Sequence, residues 1–113
     1  MIELSEKTYV TSEELTEFLK KREAGETDFL LVDVREQMEY DHQHIKGVDS
    51  LNPTSTFQSW GQSFFDEHKE KTIIFTCRTG SRSGNVQRVF QQNGMKNVIN
   101  HYGGIVSYDG VTE

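Results

Sequence analysis

The chain has 113 residues, a hydrophobic fraction of 34%, and 18 acidic against 12 basic side chains, for a net charge of −6. That length allows one core burying roughly two thirds of the surface of the unfolded chain. The charge excludes a protein whose main work is gripping nucleic acid or an anionic membrane, because phosphate binding draws on clustered Lys and Arg. Mean hydropathy is low at −0.67, yet the seven Phe, four Tyr and one Trp fall in distinct clusters, so a globular chain is expected over a disordered one.

The opening "MIELSEKTYV" has neither the basic start nor the apolar run of a signal peptide, and no stretch approaches the ~18 apolar residues of a membrane span. A cytoplasmic protein forming one domain over residues 1–113 is expected. Thr11-Ser12-Glu13-Glu14 opens a helix with a capping box, and Leu15, Phe18 and Leu19 give it an apolar stripe. "FLLVD" (29–33) is a short apolar run that suits a strand buried on both faces of a parallel sheet, as does "TIIFT" (72–76). Between them the pattern predicts a helical piece around Glu36 to Asp41, a brief strand near Ser50 to Asn52, and a core-facing helix carrying Phe57, Trp60, Phe64 and Phe65. A helix over "SRSGNVQRVFQQNG" places Val86, Val89 and Phe90 on one face with Gly94 as terminator, and "NVIN" follows as a last strand. The alternation is that of an α/β fold with a mostly parallel sheet and helices on both faces.

The one cysteine, Cys77, stands at the end of "TIIFT". It has no internal disulfide or CxxC partner, and no thiolate-rich metal site can form around it. In an open α/β sheet the loop after a strand faces the ligand crevice. The residues "RTGSRS" lead straight into a helix, so backbone N–H groups and the helix N-terminus converge on the sulfur, and Arg78 and Arg82 add full charges. Such surroundings favour a thiolate. A packing cysteine has no need of Gly80, two flanking arginines, and the hydroxyls of Thr79, Ser81 and Ser83; the pattern reads as a nucleophile. Residues 78–88 include Arg78, Arg82 and Arg88 and no acidic residue, which predicts a small positive site on an acidic chain.

The segment "CRTGSRS" resembles the active-site loop of the rhodanese (sulfurtransferase) family, especially its single-domain members. "LVDVRE" (31–36) is similar to that family's strand-end Asp-x-Arg motif, "EYDHQHIKGV" (39–48) to its Glu-Tyr…His-Ile-x-Gly signature, and "YGGI" (102–105) to its closing Gly-Gly. The resemblance runs over about residues 8–110. Gln43, Lys46, Val48, Pro53 and Tyr108 depart from the pattern, all away from the cysteine loop. The resemblance implies a rhodanese-like fold and a sulfurtransferase that carries sulfane sulfur as a persulfide on Cys77 and needs no other cofactor. Its loop, Arg78, Thr79, Gly80, Ser81, Arg82 and Ser83, would cradle the terminal sulfur. The donor would be a small anion, thiosulfate sooner than mercaptopyruvate because Arg78 stands where that other branch has a small residue. The acceptor would be a thiol, cyanide or a protein, since no second cysteine is present to resolve the persulfide.

Cysteine phosphatases and arsenate reductases resemble the arrangement too, but place five residues between Cys and Arg, against four between Cys77 and Arg82. The loop is one residue short for a tetrahedral oxyanion. A third reading is a sulfur-carrier module loaded by a protein persulfide. Asp33 and Arg35, at the end of the neighbouring strand, are expected to support the loop, Asp33 by ordering it or holding an arginine and Arg35 by meeting an anionic donor or a surface carboxylate. Arg82 should bridge the loop to the body of the protein, and Arg78 should meet the donor. His42 and His44 lack the further ligands of a metal site and read as structural, no metal being expected; His68 and His101 read as surface residues, and Gly103 and Gly104 as a backbone turn.

Overall fold

The computed structural model describes residues 4–113. In chain order the elements are β1 (Tyr9–Val10), α1 (Ser12–Glu23), β2 (Leu30–Asp33), α2 (Gln37–His42), β3 (Ser50–Leu51), α3 (Phe57–His68), β4 (Ile73–Thr76), α4 (Ser81–Gln92) and β5 (Val98–His101), with 3-10 turns at Leu4–Glu6, Thr54–Thr56 and Ile105–Ser107. The strands lie in the order β1-β5-β4-β2-β3 and every pairing is parallel. The expected apolar runs take the middle: Leu30 to Asp33 of β2 pair with Ile73 to Thr76 of β4, whose Ile73 to Phe75 pair with Val98 to Asn100 of β5.

Because successive strand residues point to opposite faces, each run feeds two cores. Val32, Ile73, Phe75 and Val98 pack with Phe64, Val86 and Phe90 beneath α3 and α4. Leu31, Ile74 and Ile99 pack on the other face with Leu15 of α1, Phe29 and Ile45. Phe57, Trp60 and Phe65 lie partly buried against the first cluster, as the aromatic spacing predicts. Burying both faces of the central strands explains why they read as unbroken apolar runs. α1 begins as expected, with Thr11 Oγ1 accepting from the Glu14 amide at 3.2 Å and Glu14 Oε1 accepting from the Thr11 amide at 3.0 Å.

One expectation changes, and one strand is added. Val89 is 39% exposed, while Gln87 is buried, its Nε2 donating to Thr8 O at 2.6 Å and Val98 O at 3.0 Å. The inner face of α4 thus includes Ser83 and Gln87, and the polar side chain fits there because two backbone carbonyls receive its protons. β1 has only two residues, too few to show a period of two, and it enters the sheet through its pairing with β5.

Candidate active site

β4 is the middle strand, and Cys77 follows it directly at the edge of the sheet where β2, β4 and β5 all end. The chain then turns at Gly80, whose φ of +98° and left-handed conformation start α4 at Ser81. The turn folds the loop back over the sulfur. The Gly80 amide donates to Cys77 Sγ at 3.1 Å, the Ser83 amide at 3.4 Å, and Ser83 Oγ lies 3.3 Å away. From behind, the Ile105 amide donates to Cys77 O at 2.9 Å and the Val106 amide to Arg78 O at 3.2 Å, so the turn after Gly103 and Gly104 backs the loop.

Cys77 is only 1% exposed. Burial pushes its thiol up, but hydrogen bonds from the Ser83 hydroxyl and from the amides of Ser83, Gly80 and Thr79 outweigh it, and the net shift is downward. The N-terminal end of α4 acts in the same sense. Chemically this is a sulfur at the floor of a ring of hydrogen-bond donors that favour its anionic form, with Arg78, Thr79 and Ser81 exposed nearby.

Arg82 bridges the loop to the body of the protein through a carboxylate the sequence reading did not single out. Its Nη1 and Nη2 donate to the two oxygens of Glu39 at 2.6 and 2.8 Å. The Arg82 hydrogen bonds, helped by the Glu36 amide and opposed by burial, hold the Glu39 carboxyl at about 2. A depressed carboxyl contributes stability that is present above its unfolded value of 4.5 and lost as pH falls from there toward about 2. Glu39→Gln is therefore expected to flatten the acid limb of stability across that interval, which urea midpoints measured at successive pH values will show; an unchanged limb would assign the acid sensitivity elsewhere.

Asp33 and Arg35 are buried, at 1% and 5% exposure, and hold each other: Arg35 Nη2 and Nε donate to Asp33 at 2.8 and 3.1 Å, and the Arg35 amide donates to Asp33 Oδ1 at 2.9 Å. Arg35 Nη2 also reaches Gln43 O at 2.6 Å. The sequence expectation that Arg35 meets an anionic donor or a surface carboxylate is corrected: its cation is paired inside the protein, and it ties the end of β2 to the segment after α2. Arg88 is bonded to Asn85. Of the three arginines of the segment, Arg78 alone has no side-chain hydrogen bond or ion pair among the described residues, and it is exposed.

His101 is also corrected, from surface to core, with 0% exposure. Its ring lies 2.7 Å from Thr76 Oγ1 and 2.8 Å from Ser12 Oγ, joining the last residue of β4 to the first of α1. Burial brings it down to about 4, so it is neutral at ordinary pH. Strand alternation carried the signal, because two residues from the buried Ile99 is the same face. On the opposite face Asn100 Oδ1 accepts from the Ser83 hydroxyl at 2.6 Å and its Nδ2 donates to Gly80 O at 3.1 Å. His44 is structural as expected, stacked on Tyr40 at 3.8 Å between ring centres, and Gly103 and Gly104 do form a turn.

The profile of the rhodanese-like domain matches residues 14–110. The chain belongs to the rhodanese-like domain family. A rhodanese-like domain protein from Staphylococcus aureus superposes with a TM-score of 0.73 at 25% identity, covering 91% of this chain and 92% of that one. A rhodanese-related protein from Thermoplasma volcanium superposes at 0.76 and 21% identity, over 94% and 97%, which shows the shared fold. Among curated relatives, a protein named tRNA uridine(34) hydroxylase from Hamiltonella defensa is 30% identical over 88% of this chain and 27% of its own length. Its namesake from Yersinia enterocolitica is 32% identical over 72% and 24%. The chain thus spans about a quarter of the length of the curated relatives it matches. The residues that depart from the rhodanese pattern stay clear of Cys77; Val48 and Tyr108, for instance, pack on the core cluster of the α1 face.

Proposed function

We propose that this rhodanese-like domain is a sulfurtransferase that takes sulfane sulfur from a small anionic donor such as thiosulfate onto Cys77 and gives it to an external acceptor. The observation that carries the reading is the convergence of the Gly80 amide, the Ser83 amide and the Ser83 hydroxyl on Cys77 Sγ, within a loop one residue short of a phosphate cradle. Those donors stabilise a thiolate, which is the attacking form of cysteine. In the first step the Cys77 thiolate attacks the outer sulfur of thiosulfate, a new S–S bond forms, the old one breaks, and sulfite leaves with the electron pair. The same N–H groups then face the anionic Cys77 persulfide. In the second step cyanide or a thiolate attacks the outer sulfur, and Cys77 departs again as thiolate, giving a ping-pong sequence. Arg78 is exposed and unpaired among the described residues, which supports assigning it to the sulfonate end of the donor.

The test is intact mass after incubation with thiosulfate. One added sulfur atom on the wild type, its removal by cyanide as thiocyanate, and no gain on Cys77→Ser are expected. Equal behaviour of wild type and variant would overturn the proposal. Loading from a persulfidated cysteine desulfurase but not from thiosulfate would make the domain a protein-to-protein sulfur carrier using the same cysteine.

The 30% identity to proteins named tRNA uridine(34) hydroxylase favours a second reading, in which the domain works as one part of a tRNA-modifying protein. A net charge of −6 makes the domain a weak partner for phosphate, so tRNA would have to be gripped elsewhere. Nucleoside mass spectrometry of tRNA from cells carrying the Cys77→Ser protein tests it, and an unchanged level of hydroxylated uridine at that position removes a role for this domain.

A further inference from the structure

The Ser83 hydroxyl has two acceptors and one proton. Asn100 Oδ1 lies 2.6 Å from Ser83 Oγ, and Cys77 Sγ lies 3.3 Å from it on the other side. A hydroxyl donates a single hydrogen bond at a time, so it serves Asn100 or the sulfur. The orientation of the Asn100 amide is fixed, because its Nδ2 donates to the Gly80 carbonyl at 3.1 Å, which leaves Oδ1 facing Ser83. While Cys77 is a neutral thiol, its S–H can point at Ser83 Oγ and the hydroxyl proton rests on Asn100. Once the sulfur is an anion, the stronger acceptor is the sulfur, and the hydroxyl turns to it. The turn forfeits the short bond to Asn100.

We propose that Asn100 is a positioning residue that sets the reactivity of Cys77 by competing for the Ser83 proton, so that the hydroxyl is released to the sulfur only when negative charge develops there. The proposal deepens the sulfur-transfer reading and rests on Cys77 being its reactive group. Asn100 acts through Ser83, and through Gly80 it fixes the turn that brings the loop over Cys77. In the reaction, the same exchange would accompany each passage between thiol, thiolate and persulfide.

The charges around the sulfur do not move with this exchange. Arg82 of α4 is held by Glu39 of α2, Arg35 is held by Asp33 at the end of β2, Arg78 is exposed beside the loop, and His101 of β5 is neutral. A change at Asn100 therefore reads the hydrogen bond and leaves the local charge as it was.

Cys77 is the single cysteine, so the pH midpoint of thiolate formation can be followed by ultraviolet absorbance in the absence of any sulfur donor. Asn100→Leu keeps the approximate shape and removes both the acceptor that faces Ser83 and the donor to Gly80 O; through the lost acceptor it is expected to lower that midpoint by about half to one pH unit, the size of one neutral hydrogen bond. In a Ser83→Ala background that lowering is expected to disappear, because only the effect of the lost bond to Gly80 O on the loop remains. An unchanged midpoint in Asn100→Leu, or an equal shift with and without the Ser83 hydroxyl, would overturn the proposal and leave Asn100 a purely structural support for Gly80. Asn100→Ala, which removes the same amide and adds no bulk, carries the same comparison where the leucine does not pack, with circular dichroism confirming the fold. Because no donor is used, failure of sulfur transfer and failure of this proposal are separate results.

Discussion

Gly104→Ala is expected to slow sulfur loading on Cys77 by about a hundredfold, the order of loss that a small displacement of a catalytic group produces. Gly104 sits at φ +63° and ψ −168°, a region that residues with a Cβ essentially never occupy, at a cost of about 1–3 kcal/mol. A Cβ placed there would overlap the carbonyl of Arg78 and the amide nitrogen of Thr79. Those are backbone atoms of the loop itself, so no side-chain rotation relieves the clash. The loop must move outward, and the bond from the Ile105 amide to Cys77 O, together with the aim of the Gly80 and Ser83 amides, moves with it. The measurement is the rate of persulfide formation by mass spectrometry beside a circular dichroism spectrum. A folded variant that loads at the wild-type rate would show that the loop tolerates the shift.

Asp33→Ala is expected to cost about 3–5 kcal/mol, because it strands the Arg35 guanidinium in the interior. At 5% exposure Arg35 cannot turn to water for solvation, and its bond to Gln43 O does not neutralise it. Against a total of about 5–15 kcal/mol for a domain, that is a large fraction of the stability, and a fall in Tm on the order of 10–20 °C follows. Urea and thermal unfolding measure it. Replacing both members, Asp33→Leu with Arg35→Met, should recover most of the loss, since two matched apolar side chains leave no buried charge. If the single and double variants are equally unstable, packing and not charge holds that corner.

The parallel strands and the cysteine loop were legible in the sequence because their signals are local. "FLLVD" and "TIIFT" are apolar throughout since both faces of β2 and β4 are covered, and the loop announces itself within a few residues of Cys77. What escaped reading depends on distant partners. Nothing near Arg82 points to Glu39, 43 residues earlier, and nothing near Ser83 points to Asn100, 17 residues later. Arg35 looked available because a cation beside a catalytic strand end normally faces solvent, and only the fold reveals that Asp33 has already claimed it. His101 and Gln87 are polar residues in core positions, which a hydrophobic pattern passes over and a hydrogen-bond partner makes tenable.

The ion pairs that frame the cysteine are closed at contact distance, Arg82 on Glu39 at 2.6 Å and Arg35 on Asp33 at 2.8 Å. Both separations are far inside the Debye length of about 8 Å at physiological ionic strength, so dissolved salt has little purchase on them. The field felt by the sulfur is set within the protein and does not follow the medium. The approach of an anion does follow it, since the chain as a whole carries −6 and repels at long range what Arg78 attracts at short range. In the proposed sulfur transfer, ionic strength acts through the arrival of the donor and leaves those two ion pairs alone.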